Sequence, residues 1–346
     1  MARINVDTTY MIGNNGISRD AKKVVEQLKL KNEIFEVQFL NLSLNGSRVL
    51  RRFFNTLNLL FNLHIPIGRR YQGIFYQPHL SPFSPGKSST SWVIRLHDLF
   101  PITNPEWFRW WACKIFKRNL EFAVENGASF LFSSSYSKNV FLNLYPGCVE
   151  RVALSPCVTS TLNQSLCKKC EGCLEIENNP DQRSTLLTVG TVEPRKNYEL
   201  IIDFWKLYGK SLSDVERLIV IGAPGWKSEK TQRALSQLTK AKWIKNSCDG
   251  SLNYFYENAK YFVSASKDEG FNLPAFEARV NYGIPVFLSD IPVHHEIHGN
   301  RAIYFKGSQD LFASISTKQD VSSVGDFTEY VTQSSNLIEV FDRFDK

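Results

Sequence analysis

The chain is predicted to be an α/β protein of two doubly wound domains. Three observations carry this. Its 346 residues are about twice the usual domain length. Short β-like runs alternate with helix-like runs, and that alternation restarts near residue 185 after a stretch without periodicity. The reading assigns residues 1–160 to an N-terminal Rossmann-like domain, 161–184 to a cysteine-containing linker or insertion, and 185–346 to a second Rossmann-like domain.

In the first half, Ala2–Val6 reads as a strand and Ser18–Leu30 as a helix with Ser18 as N-cap. Glu36–Leu40, Ile74–Tyr76 and Trp92–Leu96 read as strands, the last ending at His97 and Asp98. Pro105–Val124 reads as one long aromatic helix, Phe130–Ser133 as a strand and Ser135–Leu144 as a helix. Gly147–Asp181 has no clear period. The second half gives strands at Thr185–Val189, Arg217–Ile221, Ala241–Ile244, Tyr261–Ser264 and Pro285–Leu288. Between them lie helices at Tyr198–Tyr208, Glu229–Leu238, Leu252–Asn258 and Leu273–Tyr282. A last helix, Asn336–Phe344, is expected in the tail, with the option of packing back on the N-terminal domain. In such sheets ligands bind at the carboxyl ends of strands, and two facing domains make a cleft.

Composition narrows the class. Hydrophobic residues are 43% and charged residues 22%, against disorder. No run approaches the ~18 apolar residues of a membrane span, and the N-terminus lacks the apolar core of an export signal. Seven cysteines, an odd number without an export signal, argue against a disulfide framework. A cytoplasmic protein is expected. Residues 1–160 hold 19 Lys and Arg against 10 Asp and Glu, a net of +9, whereas 161–346 hold 22 against 24. The basic half invites an anionic partner; no recognition motif points to nucleic acid.

The segment Asp268–Ala278 carries the most chemistry. Gly270 permits a tight turn, Asn272 tolerates left-handed backbone, and Pro274 suits the first turn of a helix. The helix start offers backbone N–H groups and a positive dipole end to a diphosphate. Glu269 precedes this helix and Glu277 lies inside it; both can serve a ligand, or both can simply solvate the helix start. Arg195 and Lys196, in the turn after Thr185–Val189, can neutralise a phosphate leaving group or form a solvated basic turn. Gly13 and Gly16 follow the first strand and can admit a phosphate or serve an ordinary turn.

Taken in order, these pieces resemble the retaining glycosyltransferases of family four, with the GT-B fold. The resemblance spans Gly13 to about Phe305 and rests on the E-x7-E pair Glu269 and Glu277 within Glu-Gly-Phe-Asn-Leu-Pro. Glu-Pro-Arg-Lys-Asn at 193–197, Ile-Gly-Ala-Pro-Gly-Trp at 221–226, Tyr-Gly-Ile-Pro-Val from 282 and Ser-Asp-Ile-Pro from 289 accompany it. The resemblance implies that Lys196 and Arg195 bind the donor diphosphate, Glu277 the ribose and Glu269 the donor sugar. It places Gly16 beside the diphosphate, His97 near the transferred sugar as a catalytic residue, and the amides around Asn272 and Leu273 at the phosphate or sugar. Thr191 stands where many members carry Arg, and Asn272 where Gly is usual. No Asp-x-Asp suited to a bridging metal is found, so no metal is expected in catalysis. A front-face route, in which the leaving phosphate helps deprotonate the acceptor, fits; a covalent intermediate at Glu269 stays open.

By the same resemblance the substrate is a nucleotide sugar, with GDP-mannose favoured. The acceptor is a polyprenyl-diphosphate-linked glycan of surface polysaccharide (O-antigen-like) synthesis, at the inner face of the cytoplasmic membrane. The rivals are a catalytically silent GT-B protein that binds nucleotide or glycan for a membrane assembly, and an epimerase or phosphorylase on a similar fold. Two stretches mix cations with Trp, Phe and Leu: Arg48, Arg51 and Arg52 through Arg69 and Arg70, and Trp107–Trp111 through Lys114, Lys117 and Arg118. They read as an anionic-membrane surface or as core aromatics beside solvated charges. Finally, Cys167, Cys170 and Cys173, with Cys157 as a fourth ligand, have the spacing of a structural zinc site or belong to a reduced loop.

Overall fold

The computed structural model describes residues 2–7, 16–29, 35–40, 64–66, 73–85, 91–157, 162, 164–181, 183–317 and 341. The chain forms two compact units, one of Met1–Val158 with Thr328–Lys346 and one of Thr159–Phe327. Each holds its own six-stranded sheet.

The first unit has strands β1 (Ala2–Asp7), β2 (Phe35–Leu40), β3 (Ile74–Gln77), β4 (Ser91–Leu96), β5 (Ser129–Phe132) and β6 (Val152–Leu154). All pairings are parallel, in the order β2-β1-β3-β4-β5-β6. Helices α1 (Gly16–Lys29), α2 (Trp110–Glu125) and α3 (Ser135–Leu144) supply the crossovers that parallel strands require. Ser134 caps α3, its hydroxyl accepting from the Ser137 amide at 3.2 Å.

Side chains alternate across β4. Trp92, Ile94 and Leu96 pack with Phe130, Phe132 and Phe141, while Val93 packs with Val24, Val25 and Leu28 of α1. Arg95 therefore faces α1, and Asp20 on that helix is its counter-ion, 2.6 Å away with both side chains almost fully buried. Phe341 lies fully buried in this unit, edge-on to Tyr76 at 5.3 Å. The rest of the expected Asn336–Phe344 helix is outside the described residues, as are Gly13 and the arginines at 48, 51, 52, 69 and 70.

One expected helix is divided. Pro105–Val124 begins as a 3₁₀ turn, Pro105–Trp107; Phe108 is extended, and α2 starts only at Trp110. Pro105 forces Asn104 out of helical backbone, and the short turn does not propagate through Phe108.

The second unit runs from α4 (Glu171–Asn178) through β7 (Thr185–Val189), α5 (Tyr198–Tyr208), β8 (Arg217–Ile221), α6 (Glu229–Ser236), β9 (Ala241–Ile244), α7 (Asp249–Asn258), β10 (Tyr261–Ser264), α8 (Leu273–Tyr282), β11 (Val286–Ser289) and α9 (Pro292–His298) to β12 (Ile303–Phe305) and α10 (Ser308–Ser316). Strand order is β9-β8-β7-β10-β11-β12, all parallel. Near-continuous apolar strands bury both faces, as parallel sheets must: Leu186, Val220 and Val263 pack with Ile201, Phe204 and Leu311, while Leu187, Ile221 and Phe262 pack with Phe255, Ala275 and Ala278.

The chain order reverses between β7 and β10, so the loops leaving these two strands flank the topological switch point of the sheet. Beside it the backbones of β7 and β8 close tightly. A Cβ at Gly222 would sit 1.9 Å from the Gly190 carbonyl oxygen. Gly222→Ala is expected to cost on the order of 3 kcal/mol or more, since rigid backbone cannot yield as a side chain does. Urea unfolding measures this; an unchanged midpoint would mean that the two turns are not in contact.

Candidate active site

Both switch-point loops end in an asparagine with left-handed backbone. Asn197 (φ 52°) leads into α5 and Asn272 (φ 67°) into α8. Asparagine tolerates this region better than most residues because its short side chain bonds locally. At position 272 that side chain is 4% exposed and points inward, its Nδ2 donating to Ser264 Oγ at 3.0 Å and to His294 Nε2 at 2.8 Å. His294 Nδ1 donates in turn to the Ser289 carbonyl at 2.8 Å. Burial holds His294 down to about 4, so it is neutral and its Nε2 accepts. The Asn272 side chain thus buttresses the loop, with Leu273 opening the helix behind it.

The two loops meet through charge. Arg195 Nη1 and Lys196 Nζ both donate to the Glu269 carboxylate, Lys196 at 2.5 Å. Arg195 also reaches the Asp268 carbonyl at 3.1 Å and Glu193 at 2.9 Å, and the Lys267 amide donates to the Arg195 carbonyl at 2.8 Å. Ser266 Oγ adds a third donor to Glu269 at 2.6 Å. Burial alone would raise the Glu269 carboxyl; Arg195 and Lys196 outweigh it and hold the group at about 2. Burial pushes Lys196 down, against the pull of Glu269. The unit therefore presents two cations held in place by one permanently ionised carboxylate.

Glu277 lies five residues into α8 and is 3% exposed. Tyr256 OH donates to its Oε2 at 3.4 Å, and the Tyr256 ring stacks on Tyr282 with centroids 4.9 Å apart. Of the expected donor residues, Arg195, Lys196 and Glu269 are in direct contact, Asn272 and Leu273 start the helix beside them, and Glu277 sits on the same helix.

In the first unit, Gly16 opens α1 and His97 follows β4. His97 Nε2 donates to the Pro78 carbonyl at 3.2 Å, which leaves Nδ1 as acceptor. Burial first, then the Arg95 cation, brings His97 down to about 3, so it works as a neutral imidazole. Arg95, with Asp20, Ser155 Oγ at 2.8 Å and Cys157 Sγ at 3.8 Å, forms a buried polar group behind it. Sequence reasoning passed over Arg95, although one Arg inside the apolar run Trp-Val-Ile-Arg-Leu is the anomaly that marks it.

The cysteine expectation needs correction. Cys167, Cys170 and Cys173 do converge, but the fourth thiol beside them is Cys248. Cys157 lies in the first unit against Arg95 and Asp20, where burial raises its thiol. A fourth thiol 75 residues beyond Cys173 is brought in by the chain's crossover and has no signal in spacing.

Comparison with known proteins gives the class. Residues 174–314 match the family described as Glycosyl transferases group 1. Solved structures share the fold over essentially the whole chain. Sucrose-phosphate synthase from Thermosynechococcus elongatus aligns with 13% identity and a TM-score of 0.64 over 99% of this chain and 94% of that one. Anabaena Alr3699/HepE, in complex with UDP and glucose, aligns with 16% identity and a TM-score of 0.58 over 100% and 96%. The fold is GT-B, and residues 174–314 are a group 1 glycosyl transferase domain.

Among curated relatives, the O-antigen chain mannosyltransferase B of Escherichia coli is 24% identical over 216 residues, 61% of this chain and 56% of its own. The serotype-specific mannosyltransferase WbdA of Escherichia coli is 28% identical over 230 residues, 61% of this chain and 27% of its own. The O-antigen chain mannosyltransferase RfbU of Salmonella typhimurium is 23% identical over 253 residues, 72% and 65%. The matched region thus spans just over half of the first relative and about a quarter of the second.

Proposed function

We propose that this chain is a retaining glycosyltransferase that moves mannose from GDP-mannose to a hydroxyl of a polyprenyl-diphosphate-linked glycan in O-antigen-like surface polysaccharide synthesis. The observation that carries the reading is the Arg195–Lys196–Glu269 cluster at the switch point of the second sheet. Two preorganised cations there suit the charge that develops on a departing nucleoside diphosphate. Likeness to three mannosyltransferases favours mannose over other hexoses.

In this reading the second unit holds the donor and the first the acceptor. Arg195 and Lys196 take the diphosphate, Glu277 takes the ribose, and Glu269 orients the sugar. Three donors already on the Glu269 oxygens suit an orienting carboxylate better than a nucleophile, which supports the front-face route. The test is transfer from GDP-mannose, UDP-glucose and ADP-glucose to a lipid-linked oligosaccharide in the presence of a chelator. The reading expects one α-mannosyl product from GDP-mannose; nucleotide binding without any transfer would favour a silent partner instead.

The first unit also supports attachment at the inner face of the membrane. Trp110 is 71% exposed and Trp111 39%, among exposed Arg109, Lys114 and Lys117. No helix among the described residues is long and apolar enough to cross a membrane, so contact through this face would be interfacial. The double substitution Arg109→Ser, Trp110→Ala is expected to lower sedimentation with phosphatidylglycerol vesicles about fivefold or more, a cation near the surface contributing about 1 kcal/mol. Unchanged sedimentation would make these residues an ordinary solvated face.

A further inference from the structure

Four thiols from two distant parts of the chain meet at one point. Cys167 lies in the turn before α4, Cys170 is the N-cap of that helix, and Cys173 is in its first turn. Cys248 is the N-cap of α7. Their four sulfurs all lie within 4.8 Å of one another. Cys167 and Cys173 are 3.8 Å apart, Cys170 and Cys173 3.5 Å, and Cys173 and Cys248 3.6 Å. A metal at about 2.3 Å from each sulfur of a tetrahedron sets an edge of about 3.8 Å. A disulfide would need about 2 Å, and a four-iron cubane holds its thiolates farther apart than these.

Backbone donors converge on two of the four sulfurs. The amides of Cys173 and Cys248 each donate to Cys170 Sγ at 3.4 Å, and the Ser251 amide donates to Cys248 Sγ at 3.4 Å. Two helices direct their positive ends at the cluster. Lys168 turns the chain with left-handed backbone between the first two cysteines, and Lys168 and Lys169 are exposed beside it, where they offset the net negative charge of a metal tetrathiolate. Close approach is built in as well. A Cβ at Gly250 would lie 2.2 Å from the Ser165 carbonyl oxygen, so only glycine lets the Cys167 loop cross the start of α7. The Gly172 amide donates to the Asn246 carbonyl at 3.1 Å, and the Lys245 amide to Glu171 at 2.7 Å.

We propose that Cys167, Cys170, Cys173 and Cys248 bind one zinc ion in a closed tetrathiolate site that clamps α4 to the start of α7. Each thiol gives its proton to solvent as the metal binds. Four protein ligands leave no open position, so the ion is structural. The site is independent of the transfer reading and lies on elements that carry none of the donor residues. Its role is to fix the segment that precedes β7 onto the second unit.

Elemental analysis of the purified full chain tests this. Zinc is expected at about one per chain, retained in Cys113→Ser and Cys157→Ser and falling below about 0.2 in Cys248→Ser. Because Cys248→Ser can also unfold the chain, the reduced wild type is separately stripped and titrated with cobalt. One equivalent is expected to give the intense visible bands of tetrahedral cobalt with thiolate charge transfer. A wild type that contains no zinc and takes up neither zinc nor cobalt would overturn the site. One equivalent of iron would overturn the choice of metal, and metal loss in Cys157→Ser the ligand set.

Discussion

Glu269→Gln is expected to lower transfer by about a thousandfold, the scale of losing one preorganised charge at a reacting centre. Binding of the nucleoside diphosphate should survive and even tighten. In the free protein Glu269 occupies both Arg195 and Lys196, so a diphosphate competes with it for the same cations. A carboxamide removes that competitor. It also turns an NH2 group toward at least one cationic donor, which loses its buried carboxylate acceptor. Stability should therefore fall by about 3 kcal/mol, the scale of breaking a buried pair from one side.

The pH dependence gives a second readout of the same residue. Glu269 is held at about 2, below its ordinary 4.5, so its folded pKa is depressed. A depressed carboxylate contributes stability that is fully present above the unfolded value and is lost as pH falls through the folded one. The shift corresponds to about 3 kcal/mol, lost between about pH 4.5 and pH 2. The stability gap between wild type and Glu269→Gln should shrink over that window. A variant with normal turnover would remove Glu269 from the site, and a gap that stays constant with pH would remove it from the charge cluster.

Lys196→Ala should behave in the opposite sense. Affinity for the nucleoside diphosphate is expected to drop about 10- to 100-fold, as one charge-assisted hydrogen bond of about 1.5–3 kcal/mol is lost. Stability should change less than in Glu269→Gln, because Arg195 and Ser266 still serve the carboxylate and a buried amine no longer has to be kept charged. Calorimetry with the diphosphate and thermal unfolding separate the two effects. Unchanged affinity would end the phosphate role of Lys196.

Much of this was readable in the sequence because it is local. Parallel strands buried on both faces appear as apolar runs such as Leu218–Ile221, and helix starts are marked by Pro274 and by glycine turns. Asn272 was expected to accept left-handed backbone and does so at φ 67°. The linear order of Glu193–Asn197 and Glu269–Glu277 pointed to one shared site without any contact being known, and Arg195 and Lys196 do meet Glu269. What escaped was short or distant. The three-residue strands Val152–Leu154 and Ile303–Phe305 are too brief for a period to show. Helix Glu171–Asn178 hid behind cysteines that double as its cap. Cys248, His294 and the Asp20–Arg95 pair are joined to their partners only by tertiary packing, across 75 residues in the two longest cases.

The same distinction explains why Arg195 and Lys196, taken alone, read more readily as a solvated turn. Side-chain exposures of 14% and 10% and a shared carboxylate from a loop some seventy residues on are what set them apart. Nothing in their own segment reports that burial.

On the reading proposed above, these two cations form a nucleoside diphosphate site. Calorimetric titration of the purified chain with GDP, UDP and ADP, without added metal, tests it most directly. Saturable one-to-one binding of GDP, with UDP and ADP clearly weaker, is the predicted result. Binding of none of the three would end the diphosphate role of Arg195 and Lys196, and tighter binding of UDP or ADP would keep the site while overturning the choice of donor.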